Sequence, residues 1–110
     1  MLNPFAHRIE QYLDLLSARQ RLTASNIANA DTPGYKTKDI DFASELNRIA
    51  GGAPSVTEVQ GLALKNDGNN VSLDREARLL SENAMRFSIA AQFLRGQLQQ
   101  VRSALQEGRS

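Results

Sequence analysis

Residues 73–107, LDREARLLSENAMRFSIAAQFLRGQLQQVRSALQE, decide the fold. Within them Leu73, Ala77, Leu80, Ala84, Phe87, Ala91, Leu94, Leu98, Val101 and Leu105 recur at alternating spacings of four and three. That is the heptad pattern of a helix that lays one apolar seam along a partner. Asp74 and Glu76 sit where acidic side chains favour the positive end of a helix, Arg102 falls in its last turn, and Gly108 follows where a helix ends. A helix over 73–107 is roughly 50 Å long, whereas a compact chain of this size has a radius of gyration of about 13 Å. The stretch therefore predicts an elongated molecule.

The N-terminal third repeats the pattern. Asn3 and Pro4 form an N-cap and first helical residue, and Ala6, Ile9, Leu13, Leu16, Gln20, Thr23, Ile27 and Ala30 follow at spacings of three and four. Gln20 and Thr23 interrupt this seam, either as a polar pair that fixes register or as a solvated patch where the partner helix ends. Pro33 stops the helix, because it holds Thr32 extended and has no amide hydrogen. Leu15 and Leu22 on the first helix, and Ile89 and Phe93 on the last, lie off the seams. Two paired helices leave this apolar surplus outside, where it points to protein partners.

Between the helices the character changes. Thr32-Pro33-Gly34-Tyr35 carries Pro and Gly at the second and third positions of a type II turn. Asp41 caps a short helix through Phe42, Leu46 and Ile49 that Gly51 and Gly52 end. Residues 51–70, rich in Gly, Pro, Ser and Asn, read as a loop or a marginal β element. The expected fold is mainly α: residues 1–30 and 71–110 form one elongated coiled-coil domain, and residues 31–70 supply a turn, a short helix and a mostly irregular, flexible connection.

Composition narrows the function. The chain has 110 residues, of which 27 are Leu, Ile, Val or Phe, enough to collapse into one domain. Lys and Arg number 13 against 12 Asp and Glu, a balance that does not advertise a polyanionic partner. The absence of Cys excludes disulfides, thiolate catalysis and cysteine-ligated metals, and a single His, His7, removes His-pair chemistry. No run approaches the ~20 apolar residues of a membrane span, and MLNPFAHRIE lacks the apolar core of a cleavable signal.

The remaining polar motifs read as structure. Asp39 and Asp41 alternate on an extended segment and suit a solvated turn and an N-cap better than a cation site. Asn66-Asp67-Gly68-Asn69-Asn70 fails as a calcium loop, since the first and third ligand positions would be Ala63 and Lys65; Asp67-Gly68 is a turn. Asn70-Val71-Ser72 matches the glycosylation pattern, which is too common to carry weight. Arg95, Arg102 and Arg109 recur every seven residues, with Ser81 and Ser88 at the earlier equivalents. Glu76, Glu82 and Glu107 lie among them without interleaved aromatics, so the stripe reads as a coiled-coil flank rather than a phosphate contact. The residues offer no catalytic group, cofactor or metal site, nucleic-acid surface or small-molecule site.

Asn26-Ile27-Ala28-Asn29-Ala30-Asp31-Thr32-Pro33-Gly34-Tyr35-Lys36 closely resembles the N-terminal signature of bacterial flagellar rod and hook proteins. The continuation Asp39-Ile40-Asp41-Phe42, and Asp67-Gly68-Asn69-Asn70-Val71 leading to Glu82-Asn83-Ala84, resembles the proximal-rod members of that family. The resemblance covers nearly all of residues 5–50 and 66–108, while the stretch 51–66 is short beside many relatives. It implies a non-enzymatic structural subunit of the proximal rod, whose N- and C-terminal helices pair and whose copies build a hollow, torque-transmitting shaft in the periplasm. It further implies contacts with other rod proteins, the rod adaptor protein, the membrane-embedded ring and the export gate, and type III export without a cleaved signal. The signature from Asn26 to Phe42 is then an assembly motif. The alternatives are another rod or hook-basal subunit, or, from another class, a helical coiled-coil adaptor or nucleic-acid-binding protein.

Overall fold

A computed structural model of the chain describes residues 4–48 and 52–108. Helix α1 (Pro4–Ala28) opens on a proline, whose missing N–H would have had no acceptor within the helix; Asn3, its expected cap, lies outside the described residues. Strand β1 (Lys38–Asp39) and strand β2 (Thr57–Glu58) pair antiparallel, with Lys38 opposite Glu58 and Asp39 opposite Thr57. Helix α2 (Phe42–Asn47) lies between them. Its cap, Asp41, accepts from the Ser44 amide at 3.3 Å and the Ser44 hydroxyl at 2.9 Å. Helix α3 (Leu73–Glu107) has 35 residues, with Ser72 as a cap that the sequence reading did not name and Gly108 at its end.

Helices α1 and α3 run antiparallel, so that Asn26 meets Glu76, Tyr12 meets Arg86, and Phe5 in the first turn of α1 shares a cleft with Phe93, Gly96 and Gln100. The described residues extend 70 × 26 × 17 Å with a radius of gyration of 18.3 Å, as a long helix demands. Ala6, Ile9 and Leu16 of α1 and Ala90 of α3 are buried, with Ile9 beside Ala90 and Leu16 beside Asn83 and Phe87, and Ala30, Ile40 and Val71 close the end where the middle segment folds back. Tyr12 meets Phe42 edge to face at 5.3 Å, which fastens α2 to α1.

Three expectations are corrected. Helix α1 ends at Ala28 rather than at Pro33, because Asn29 and Ala30 turn tightly through amide bonds to Asn26 and Ile27 carbonyls while the Asn29 side chain takes the Ser25 carbonyl at 2.8 Å. Helix α2 ends at Asn47, where Arg48 is extended and its amide bonds the Glu45 carbonyl; the expected later positions Ile49 and Gly51 lie outside the described residues.

The third correction concerns the seam of α3. The side chains buried against α1 are Glu76, Asn83 and Ala90, each one residue ahead of the expected stripe. Of that stripe, Leu80, Ala91 and Leu94 are half-buried, and Leu73, Ala77, Ala84, Phe87, Leu98, Val101 and Leu105 are exposed. The reason is polar. Glu76 and Asn83 find partners on α1 and so belong inside, and a periodicity counted on apolar residues does not register a polar side chain matched from 50 residues away. Thr23 is likewise 1% exposed and Gln20 accepts from Asn83 Nδ2 at 3.3 Å, so this pair is part of the interface and not a solvated patch.

Candidate functional site

The end of the molecule where α1, the signature segment and the start of α3 converge is built from polar groups. Asn26, 1% exposed, directs its Nδ2 to the Lys38 carbonyl at 2.8 Å and to the Glu76 carboxylate. Its Oδ1 accepts from the Tyr35 hydroxyl at 2.9 Å and the Lys38 amide at 3.1 Å. One amide thus ties a helix, a loop and a second helix together, using both lone pairs and both hydrogens.

Asp39 is the electrostatic counterpart. Arg19 of α1 grips its carboxylate bidentately, Nε and Nη2 each at 3.0 Å, and Arg75 of α3 reaches it at 2.6 Å while giving Nη1 to Glu76 at 2.8 Å. Burial pushes the Asp39 carboxyl upward, but the bonds from Arg19, the Ile40 amide and Arg75 outweigh it and hold the group below the ordinary 3.8. The expectation of a solvated turn at Asp39 is therefore corrected: two arginines, one from each long helix, take it inside. Asp41 is the cap it was expected to be.

Two turns complete the site. Tyr35 donates its amide to the Thr32 carbonyl at 3.2 Å and Gly34 adopts φ +74°, so residues 32–35 form the expected type II turn. The Gly34 amide bonds the Asp67 carbonyl at 2.9 Å, and Gly68, at φ +83°, lies against the Gly34 Cα. Asn69, fully buried, gives Nδ2 to the carbonyls of Asn29 and Thr32, both at 2.8 Å, and Lys36 Nζ bonds the Gly68 carbonyl. Asn70 Oδ1 accepts from the Thr37 amide at 2.6 Å with both residues buried, which removes Asn70 as a surface acceptor for a glycan.

The structure brings most of the motif together and divides it. Asn26, Asp39 and Ile40 are buried, Ile27, Asn29, Tyr35, Lys36 and Phe42 are half-buried, and Ala28, Thr32, Pro33, Gly34 and Asp41 are exposed. Arg19, Thr37, Arg75 and Glu76, which hold the site together, were not among the expected site residues. No local signal marks them, because each pairs with a residue far away in the sequence. A Cβ added at Gly34 meets no atom within 4 Å, so Gly34→Val should cost chiefly backbone strain, about 1–2 kcal/mol. Urea unfolding should show that loss with the helical circular dichroism unchanged.

Away from this end the surface carries apolar features among its charged side chains. A cleft of about 330 Å³ lies between α1, α2 and α3, lined by Phe5, Ile9, Tyr12, Leu46, Ile89 and Phe93. His7 is exposed, no group of three metal-ligating side chains forms among the described residues, and none of the described helices is long and apolar enough to cross a membrane. Leu98 lies level with the start of α1, and Val101 and Leu105 continue the exposed stripe past it.

The family described as flagella basal body rod protein matches residues 13–36, which hold the second half of α1 and the turn. The flagellar basal body rod protein FlgB of Escherichia coli strain K12 is 32% identical over 125 aligned positions, covering 90% of this chain and 91% of the relative. The chain belongs to the FlgB family of flagellar basal body rod proteins. FlgB of Salmonella typhimurium is also 32% identical with the same coverage, and FlgB of Borrelia hermsii is 36% identical over 76% of this chain and 80% of the relative. This rod subunit is a structural component of the flagellar basal body, where it associates with other rod and basal-body components, and its family is not one of enzymes.

Proposed function

We propose that this rod subunit polymerises with copies of itself and with other rod proteins into the proximal part of the hollow shaft that carries torque through the periplasm. The observation that carries this reading is the apolar stripe left open along α3, from Leu73 at 55% exposure to Leu105 at 63%. Exposed apolar area on this scale is costly in water and is stabilised when a neighbouring helix covers it. The seam is thus the contact between subunits, and the polar end is the device that holds each subunit in one shape.

Within the signature motif, Ala28, Thr32, Pro33, Gly34 and Asp41 face outward and are the part available to a neighbour. Export by the flagellar type III apparatus without a cleaved signal, contacts with the adaptor protein, the membrane-embedded ring and the export gate, and the absence of any catalytic, metal, cofactor or nucleic-acid role complete the proposal. They are supported by the resemblance of residues 26–42 and 67–84.

Leu98→Ser with Leu105→Ser tests it. Both side chains are exposed in the isolated subunit, so its helicity and unfolding midpoint should hardly move. In cells, recovery of the subunit in purified basal bodies should fall about tenfold or more, with motility lost in parallel. Normal recovery and swimming would count against the seam as a subunit contact.

A further inference from the structure

The face between α1 and α3 has a built-in ambiguity. Ile9, Leu16 and Thr23 are buried on one side, and Glu76, Asn83 and Ala90 on the other, each set at intervals of seven residues. Stripes of equal period superimpose again when one helix slides along the other by seven residues, roughly 10 Å. The molecule also leaves room for such a slide. Helix α3 continues past the first turn of α1, with Val101 and Leu105 exposed beyond Phe5, so α1 moved toward that end would still lie against helix along its whole length. Apolar packing therefore does not by itself fix where α1 stops.

The polar groups break the degeneracy. In the observed register Asn26 reaches Glu76 and Gln20 reaches Asn83. A slide toward the free end would set Asn26 against Asn83 and Gln20 against Ala90, and would strip Glu76, a carboxylate with no exposed surface, of its bond from Asn26. The same slide would carry Asp39, gripped by Arg19 of α1, away from Arg75 of α3. Removing one partner from a buried charged group is costly, whereas a matched polar pair in an otherwise periodic seam selects one register.

We propose that the buried pairing of Asn26 with Glu76 is a register pin: it sets how far α3 is displaced along α1, and so the length and placement of the free end of α3. Asn26 and Glu76 are positioning residues in this sense. The inference does not depend on the assembly reading above, since it concerns the single chain.

The test uses the full chain, which contains no cysteine, carrying spin labels at Ala24→Cys and Gln99→Cys, both exposed positions on opposite helices. Paramagnetic distance measurements should give one distance for the otherwise unaltered protein. Asn26→Leu combined with Glu76→Leu should keep the helical signal and add a second distance displaced by about 10 Å. Glu76→Gln alone, which preserves an acceptor for Asn26 Nδ2, should keep the single distance. One unchanged distance in the doubly apolar variant would overturn the proposal, as would loss of its helical signal, which would make the pair a requirement for folding. A second distance in Glu76→Gln would overturn the hydrogen-bonded pair as the pin.

Discussion

Asp39→Ala should destabilise the isolated subunit by about 3 kcal/mol. The carboxylate, 8% exposed, is the anion shared by Arg19 and Arg75, and truncation would leave the Arg19 guanidinium part-buried with its two bonds to that carboxylate broken. The amide of Ile40, which bonds Asp39 Oδ1 at 2.8 Å, would lose its acceptor as well. Urea unfolding followed by circular dichroism measures the loss, and a change under about 0.5 kcal/mol, typical of surface sites, would contradict it. The acid limb of stability gives a second reading of the same group. Because the folded Asp39 is held below its ordinary 3.8, it contributes stability that is present above about pH 4 and lost as pH falls through the folded value. The unaltered protein should thus lose stability below about pH 4 more steeply than Asp39→Ala does.

Leu16→Ala is the second large effect. Leu16 is 1% exposed and the largest fully buried apolar side chain among the described residues. Its truncation should cost about 2–5 kcal/mol, as transfer energy lost plus a cavity that a helix pair fills poorly. Leu98→Ala, at 43% exposure, should cost far less in the same titration of the isolated subunit. Equal losses would mean that the stripe of α3 is packed within the chain, against the structure described above.

The legible part of the fold was the part written in local chemistry. Heptad spacing and Gly108 placed α3 at residues 73–107, and Pro4 marked the start of α1. Pro33 and Gly34 specified a type II turn and Asp41 a cap, because such features need only their immediate neighbours. What stayed hidden depended on distance along the chain. Glu76 reads as a surface acid of a first helical turn until Asn26, 50 residues earlier, is seen to meet it. Asp39 reads as a turn residue until Arg19 and Arg75 close on it. The same blindness misplaced the seam by one residue, since the inward face of α3 is chosen by polar partners on α1 as much as by leucines.

The site divided in the same way. Residues 26–42 were recognisable as a unit, yet their division into an inward half that shapes the subunit and an outward half around Pro33 is a property of the folded chain. Asn69 and Asn70 belong to that unit in space although they follow it by some 30 residues, because their side chains satisfy the carbonyls of Asn29 and Thr32 and the amide of Thr37.

If the rod covers the stripe exposed on α3 in the single subunit, a single thiol placed in that stripe should report it. Leu98→Cys introduces one thiol into a chain that has none, and its rate of alkylation can be compared between the isolated subunit and purified basal bodies. Rapid modification is expected of the isolated subunit, with protection of about tenfold or more in the basal body. Equal rates in both would contradict it.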